Sequence, residues 1–240
     1  MKTLNSNAVA ARAGRRIRGI GASLLCLTIA VSCSTTPKSS SSGSSAYFNY
    51  DRPAKLPSNP SNVRVKVSLS KQLAYVMEGN EALLVMPVSV GTSSTPTPTG
   101  SYRIGKKDHK HRANTHGYAS NGSEARQTYL NKKPAGWSFK GTPMPYWCGF
   151  IGDSYGFHVG WLKDRPCTHG CIRMHENLGP KFFRLVSVGN PVSIAHSQPE
   201  DATIGANVPR PPDATPLPDY PPAFMLGDGY FTKHMAPTYR

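Results

Sequence analysis

Regular alternation of apolar and polar positions sets in at Val63. VRVKVSLS (63–70) has the two-residue period of a half-buried strand, and QLAYVMEGNEALLVMPVSVG (72–91) reads as two strands joined at Glu78-Gly79-Asn80-Glu81. TSSTPTPTG (92–100) is a stiff loop, after which SYRIGKK (101–107) resumes strand character. Residues 108–140 are polar, basic and without a sustained period, which predicts a long irregular insertion that closes as a lid over a site. Strand pattern returns at MPYWCGFI (144–151) and YGFHVGW (155–161). LGPKFFRLVSVG (178–189) has apolar residues at helical spacing, with Pro180 suited to the first turn and Gly189 to the stop; PVSIA (191–195) closes as a strand. Many short strands and one late helix predict a mainly β fold, a β-sandwich of mixed sheets, over residues 62–196. That length suffices for one core.

The flanks are different in kind. Residues 1–19 carry Lys2, Arg12, Arg15, Arg16 and Arg18 and no acid, and an apolar run follows from Ile20 to Val31. The run is too short for a transmembrane helix, which needs about 20 residues, so residues 1–32 read as an export signal. Ala30-Val31-Ser32-Cys33 resembles the lipobox of bacterial lipoproteins, which implies cleavage before Cys33 and a diacylglycerol on its sulfur. Residues 33–61 then form the lipidated cysteine and a flexible tether, with STTPKSSSSGSS (34–45) supplying reach. Residues 197–240 are a Pro-rich tail unsuited to an ordinary core, although AFMLGDGYF (223–231) is apolar enough to dock. The expected location is the periplasm, with the chain lipid-anchored to the outer membrane.

Charge changes the list of partners. The formal net charge of +15 falls to +10 on removing residues 1–32, which hold five basic residues and no acids. An exported lipoprotein meets little nucleic acid, so an anionic cell-wall polymer or a membrane surface is the expected partner.

The densest chemistry lies in FHVGWLKDRPCTHGCIRMH (157–175). His158, Cys167, His169, Cys171 and His175 could all ligate zinc, but the spacing H-x8-C-x-H-x-C does not match the paired cysteines of common structural sites. No metal or cofactor is expected. The same residues satisfy the needs of a cysteine nucleophile. A thiol needs a base, here His158 at the end of a strand, and amide donors for an oxyanion, which Gly170 before Cys171 can help present. Arg173 adds a planar cation suited either to a substrate carboxylate or to tying the loop. His109, His111, His116 and His175 read as surface histidines without a role.

THGCIRM (168–174), preceded by FHVG (157–160), resembles the signature of the L,D-transpeptidases of the YkuD type. The resemblance extends to KQLAYVMEGNEALLVMPVSVGTSSTPTPTGSYRI (71–104), with its Thr97-Pro98-Thr99-Gly100 turn, and covers about residues 63–195. It implies that Cys171 attacks a peptidoglycan stem peptide at the bond between an L-configured diamino acid and a D-residue. His158 would take the thiol proton, held in its tautomer by a backbone carbonyl, with Asp164 outside the set. The amides of Gly170 and Cys171 would bind the oxyanion, His169 and Thr168 would line the pocket, and Arg173 and Tyr146 would contact substrate. The acyl acceptor would be a second stem peptide or a protein amine; water would make the chain a carboxypeptidase. A non-catalytic peptidoglycan-binding lipoprotein is the reading of another class. Beyond the signal peptide and Cys33, the chain keeps Cys148, Cys167 and Cys171. An odd count with a free nucleophile predicts a Cys148–Cys167 brace, with a Cys167–Cys171 off-switch and buried free thiols as the alternatives.

Overall fold

The computed structural model describes residues 41–235. The signal segment 1–32, Cys33 and the first part of the tether lie outside the described residues. The strands are β1 (Val63–Ser68), β2 (Leu73–Glu78), β3 (Glu81–Ser89), β4 (Gly100–Arg103), β5 (Lys106–Ser120), β6 (Ala125–Tyr129), β7 (Ser138–Ile151), β8 (Tyr155–Val159), β9 (Ile172–Met174) and β10 (Pro191–Ala195). The helices are α1 (Ser41–Phe48), α2 (Gly179–Leu185), α3 (Pro222–Leu226) and α4 (Gly229–Met235). The strands pair in the order β4-β10-β1-β2-β3-β9-β8-β7-β5-β6. Most neighbours are antiparallel, but β1–β10 and β8–β9 are parallel.

β3 belongs to both halves of this arrangement. Most of its length pairs with β2, while Val88 and Ser89 at its end pair with Met174 and Arg173 of β9. The two halves share one core: Val65, Val67, Val76, Leu84, Met86 and Ile194 pack with Phe157, Ile172 and Met174 and with Phe182 and Leu185 of α2. The predicted mainly β fold of mixed strands, with a helix after the cysteine loop, is the observed one. Phe157 and Phe182 meet at 4.6 Å between ring centroids, and burying each aromatic ring contributes about 1.5–3 kcal/mol. That contact seats α2 under the strand carrying His158.

β1 keeps its alternation because only its valines face the core. β2 does not: Leu73, Tyr75 and Met77 are also buried, on the outer face, where they meet Val208 of the tail. The Tyr75 hydroxyl donates to Asp201 at 2.6 Å. A strand covered on both faces reads as a continuous apolar run.

Three expectations change here. Residues 108–140 are not an irregular insertion but β5, β6 and the start of β7, paired from Lys106↔Gly149 out to Ser120↔Ser138. Exposed, half-buried and buried positions follow one another in no regular order here, so no apolar period marks these strands. The described part of the tether packs on the domain: Tyr47 is buried, its hydroxyl accepts from Leu162 N–H at 2.9 Å, and Asn177 holds the Phe48 and Tyr50 carbonyls. The Pro-rich tail also packs. Arg210 donates to the carbonyls of Gln72, Val88 and Lys163, and Met225, Tyr230 and Phe231 are buried. Prolines exclude regular pairing but lose little chain entropy when laid on a formed surface.

Candidate active site

β8 and β9 run parallel in the register Phe157↔Ile172, His158↔Arg173 and Val159↔Met174. Phe157, Val159, Ile172 and Met174 are buried, the first, third and fourth of the set in the shared core. Side chains alternate across a strand, so His158 and Arg173 share the opposite face. Extending the register one step puts Cys171 beside Gly156, one strand spacing away and two residues along from His158.

His158 is 8% exposed, and its Nδ1 lies 2.9 Å from the carbonyl oxygen of Val159. A carbonyl only accepts, so Nδ1 carries the proton and Nε2 is left as the acceptor. Burial pushes the imidazole pKa down to about 3, and the charge of Arg173 acts in the same direction. The thiol of Cys171 donates to the carbonyl of Ser154 at 3.7 Å. Burial pushes its pKa up, against the opposing pull of a Gly156 backbone hydrogen bond and of Arg173. The resting pair is therefore a neutral thiol and a neutral imidazole.

The loop before Cys171 is pinned to the end of β3. Cys167 and Thr168 N–H both donate to Val90 O, and Thr168 O accepts from Thr92 N–H and from the Thr95 hydroxyl. The Thr168 hydroxyl donates to Cys171 O at 2.6 Å and accepts from Gly170 N–H at 3.2 Å. Gly170 turns at φ +104, and a Cβ there would lie 2.4 Å from the Tyr155 ring. Alanine at Gly170 is accordingly expected to displace the cysteine loop. Stability should fall by about 1–3 kcal/mol, and thermal melting of the variant checks this.

A model of the L,D-transpeptidase catalytic domain, YkuD, matches residues 62–194. The chain belongs to the YkuD family of L,D-transpeptidases. L,D-transpeptidase 1 of Mycobacterium tuberculosis is 29% identical over 129 residues, which are 53% of this chain and 48% of that protein. The chain thus spans about half the length of the curated relatives it matches. Among solved structures, an L,D-transpeptidase from Mycobacterium smegmatis aligns with a TM-score of 0.43 at 17% identity, over 56% of this chain and 58% of that one. The L,D-transpeptidase from Stackebrandtia nassauensis aligns with a TM-score of 0.42 at 19% identity, over 61% and 60%.

Within this YkuD domain the sequence-derived residues separate. Cys171, His158, Thr168, Gly170 and Arg173 come together on β8, β9 and the pinned loop. Arg173 donates to Trp161 O at 3.0 Å and to the Cys167 sulfur at 3.7 Å, the contacts of a loop tie. His169 is exposed, with its ring 5.8 Å from that of His116. Tyr146 stands apart: its backbone is at φ +56, and its ring packs against His109 and against Phe183 of α2. Among the described residues, no three or more His, Cys, Asp or Glu side chains gather as a metal-binding group.

The cysteine and histidine expectations need correction. Cys148, Cys167 and Cys171 are all free. Cys148 faces the core, where burial pushes its thiol up to about 12, while Cys167 lies by Arg173 on the opposite side of the sheet. His175 is not a surface residue: it is fully buried, with Nε2 donating to Tyr47 O and Nδ1 accepting from Asn177 N–H. His111 is buried too, stacked on Trp147. Both were hidden because each buries its ring through contacts distant in sequence. Trp147 was missed altogether, although two glycines, Gly149 and Gly156, leave room for its ring.

Burial holds His111, His158 and His175 below the ordinary value of 6.5. The unfolded chain binds protons below pH 6.5 that the native state refuses, so stability is full above that pH and declines as the pH falls toward the folded values. His158 alone should cost about 2 kcal/mol at pH 5. Thermal melts are expected to shift downward steadily between pH 7.5 and pH 5; an unchanged melting temperature over that range would contradict neutral burial of these rings.

Proposed function

We propose that the chain is a peptidoglycan L,D-transpeptidase in which Cys171 is the nucleophile and His158 the base. The observation that supports this reading most directly is the parallel β8–β9 register, which aligns the two side chains on one face, with Nδ1 of His158 tied to Val159 O. On substrate binding the thiol proton passes to Nε2 of His158, and sulfur attacks the carbonyl carbon between the L-centre and the terminal D-residue. The oxyanion is held by backbone N–H at Cys171. The Gly170 N–H, which donates to Thr168 in the resting loop, joins it if the loop shifts. His158 returns the proton to the departing amine as the C–N bond breaks, leaving a thioester. An acceptor amine then attacks the thioester, His158 takes its proton, and the thiol is restored. His169 and Thr168 line this path and Arg173 stiffens the loop, while Tyr146 packs away from it on His109 and Phe183.

The acceptor is a stem-peptide amine or a protein amine, with water as the competing acceptor. The N-terminal pattern supports export and lipid anchorage at Cys33, with the domain working in the periplasm at the outer membrane. Incubation with purified muropeptides, read by mass spectrometry, tests the reaction. Loss of one D-residue with a dimeric product is the expected result. Loss without a dimer makes the chain a carboxypeptidase, and an unchanged substrate makes it a binding protein.

A further inference from the structure

We infer that Trp147, backed by His111, is the positioning residue for the imidazole of His158. The inference rests on His158 being the base. Trp147 is fully buried at the centre of a three-ring stack that crosses β5, β7 and β8. The His111 ring lies against it with centroids 4.2 Å apart and planes 21° apart; the His158 ring lies on it at 6.4 Å and 28°. The indole reaches this place by lying over a cross-strand glycine pair, Gly149↔Gly156. A Cβ at Gly149 would come within 2.8 Å of the indole Nε1, and one at Gly156 within 2.7 Å of its Cη2. Gly156 is also the neighbour of Cys171 in the extended register, so the indole forms the floor beside both members of the proposed pair.

Burial of this stack carries a cost that simple packing does not explain. Trp147 Nε1 and His111 Nε2 are buried without a hydrogen-bond partner. Leucine or phenylalanine at 147 would leave no orphaned donor there. What the indole adds is a rigid plane wide enough to touch His111 on one strand and His158 on another. A flat wall limits rotation of the His158 ring about χ2, a broad torsion for histidine. With that rotation restricted, Nδ1–H stays on Val159 O and Nε2 stays available to accept the thiol proton.

The test uses the full chain labelled with 15N. Long-range 1H–15N correlation at pH 7.5 should show His158 as a single tautomer protonated at Nδ1. In Trp147→Leu and in His111→Ala, the Nε2-protonated tautomer should appear alongside it. On muropeptides, kcat should fall about 10²-fold in Trp147→Leu with KM unchanged, because a misaimed base weakens the transition state and not substrate binding. Trp147→Phe, which keeps a flat but narrower ring, should recover only part of that loss. A single tautomer and undiminished kcat in both Trp147→Leu and His111→Ala would overturn the inference. If thermal melting shows that Trp147→Leu does not fold, His111→Ala decides alone. If the wild-type chain turns over no muropeptide, the proposed reaction fails, and tautomer mixing in the variants still supports the positioning role.

Discussion

Alanine at Cys171 is expected to abolish release of the terminal D-residue from muropeptides while leaving the melting temperature nearly unchanged. The thiol is part-buried and makes only weak sulfur contacts to backbone, such as the 3.7 Å one to Ser154 O, so its removal should cost about 1 kcal/mol or less. The chemical loss is of another order. Without sulfur no thioester forms, and neither Cys148 nor Cys167 can stand in. Cys148 is sealed in the core, and Cys167, four residues before Cys171, is held by Arg173. The measurement is a time course of D-residue release with circular dichroism on the same sample. Retained release by a folded Cys171→Ala protein would falsify the assignment of the nucleophile.

Removing the base should cost nearly as much near neutral pH. In His158→Ala the rate is expected to fall about 10²–10⁴-fold at pH 7.5, the usual worth of general-base assistance. The thiol pKa is raised above its ordinary 9.0, so almost no thiolate exists at that pH without a base. The sign of the pH dependence follows. The variant should regain rate as pH rises through 9 and beyond, where the thiol ionises unaided. The wild type, with its imidazole pKa near 3, should remain active well below neutrality until the acid loss of stability intervenes. Rates from pH 6 to pH 10 for both proteins separate this from a packing defect, which would lower the variant's rate evenly across the range.

The strand pattern from Val63 to Val90, the helix at Gly179–Leu185 and the final strand were legible in the sequence because one face of each meets the core and the other meets solvent or a second layer. The cysteine loop was legible for a different reason. Thr168, Gly170, Cys171 and Arg173 lie within six residues, and their roles depend on local turn geometry that Gly170 makes possible. Even the carbonyl that orients His158 belongs to the adjoining residue.

What the sequence could not carry are contacts between segments that are far apart in the chain and have no shared period. The β5–β6–β7 arm mixes exposed and buried positions without a regular period, so its pairing is written only in backbone register. The tail and α1 pack through single aromatic and arginine anchors such as Tyr47, Arg210 and Phe231, each set in otherwise breaker-rich sequence. Opposite faces of one sheet separate Cys148 from Cys167, which no count of cysteines reveals. The same holds for the stack of His111, Trp147 and His158. Its members are 36 and 11 residues apart in the chain, and only strand pairing brings the three rings onto one face. Local sequence thus determined the fold class and brought the candidate residues of the cysteine loop into view, while the surroundings that set their protonation and aim came from long-range pairing and burial.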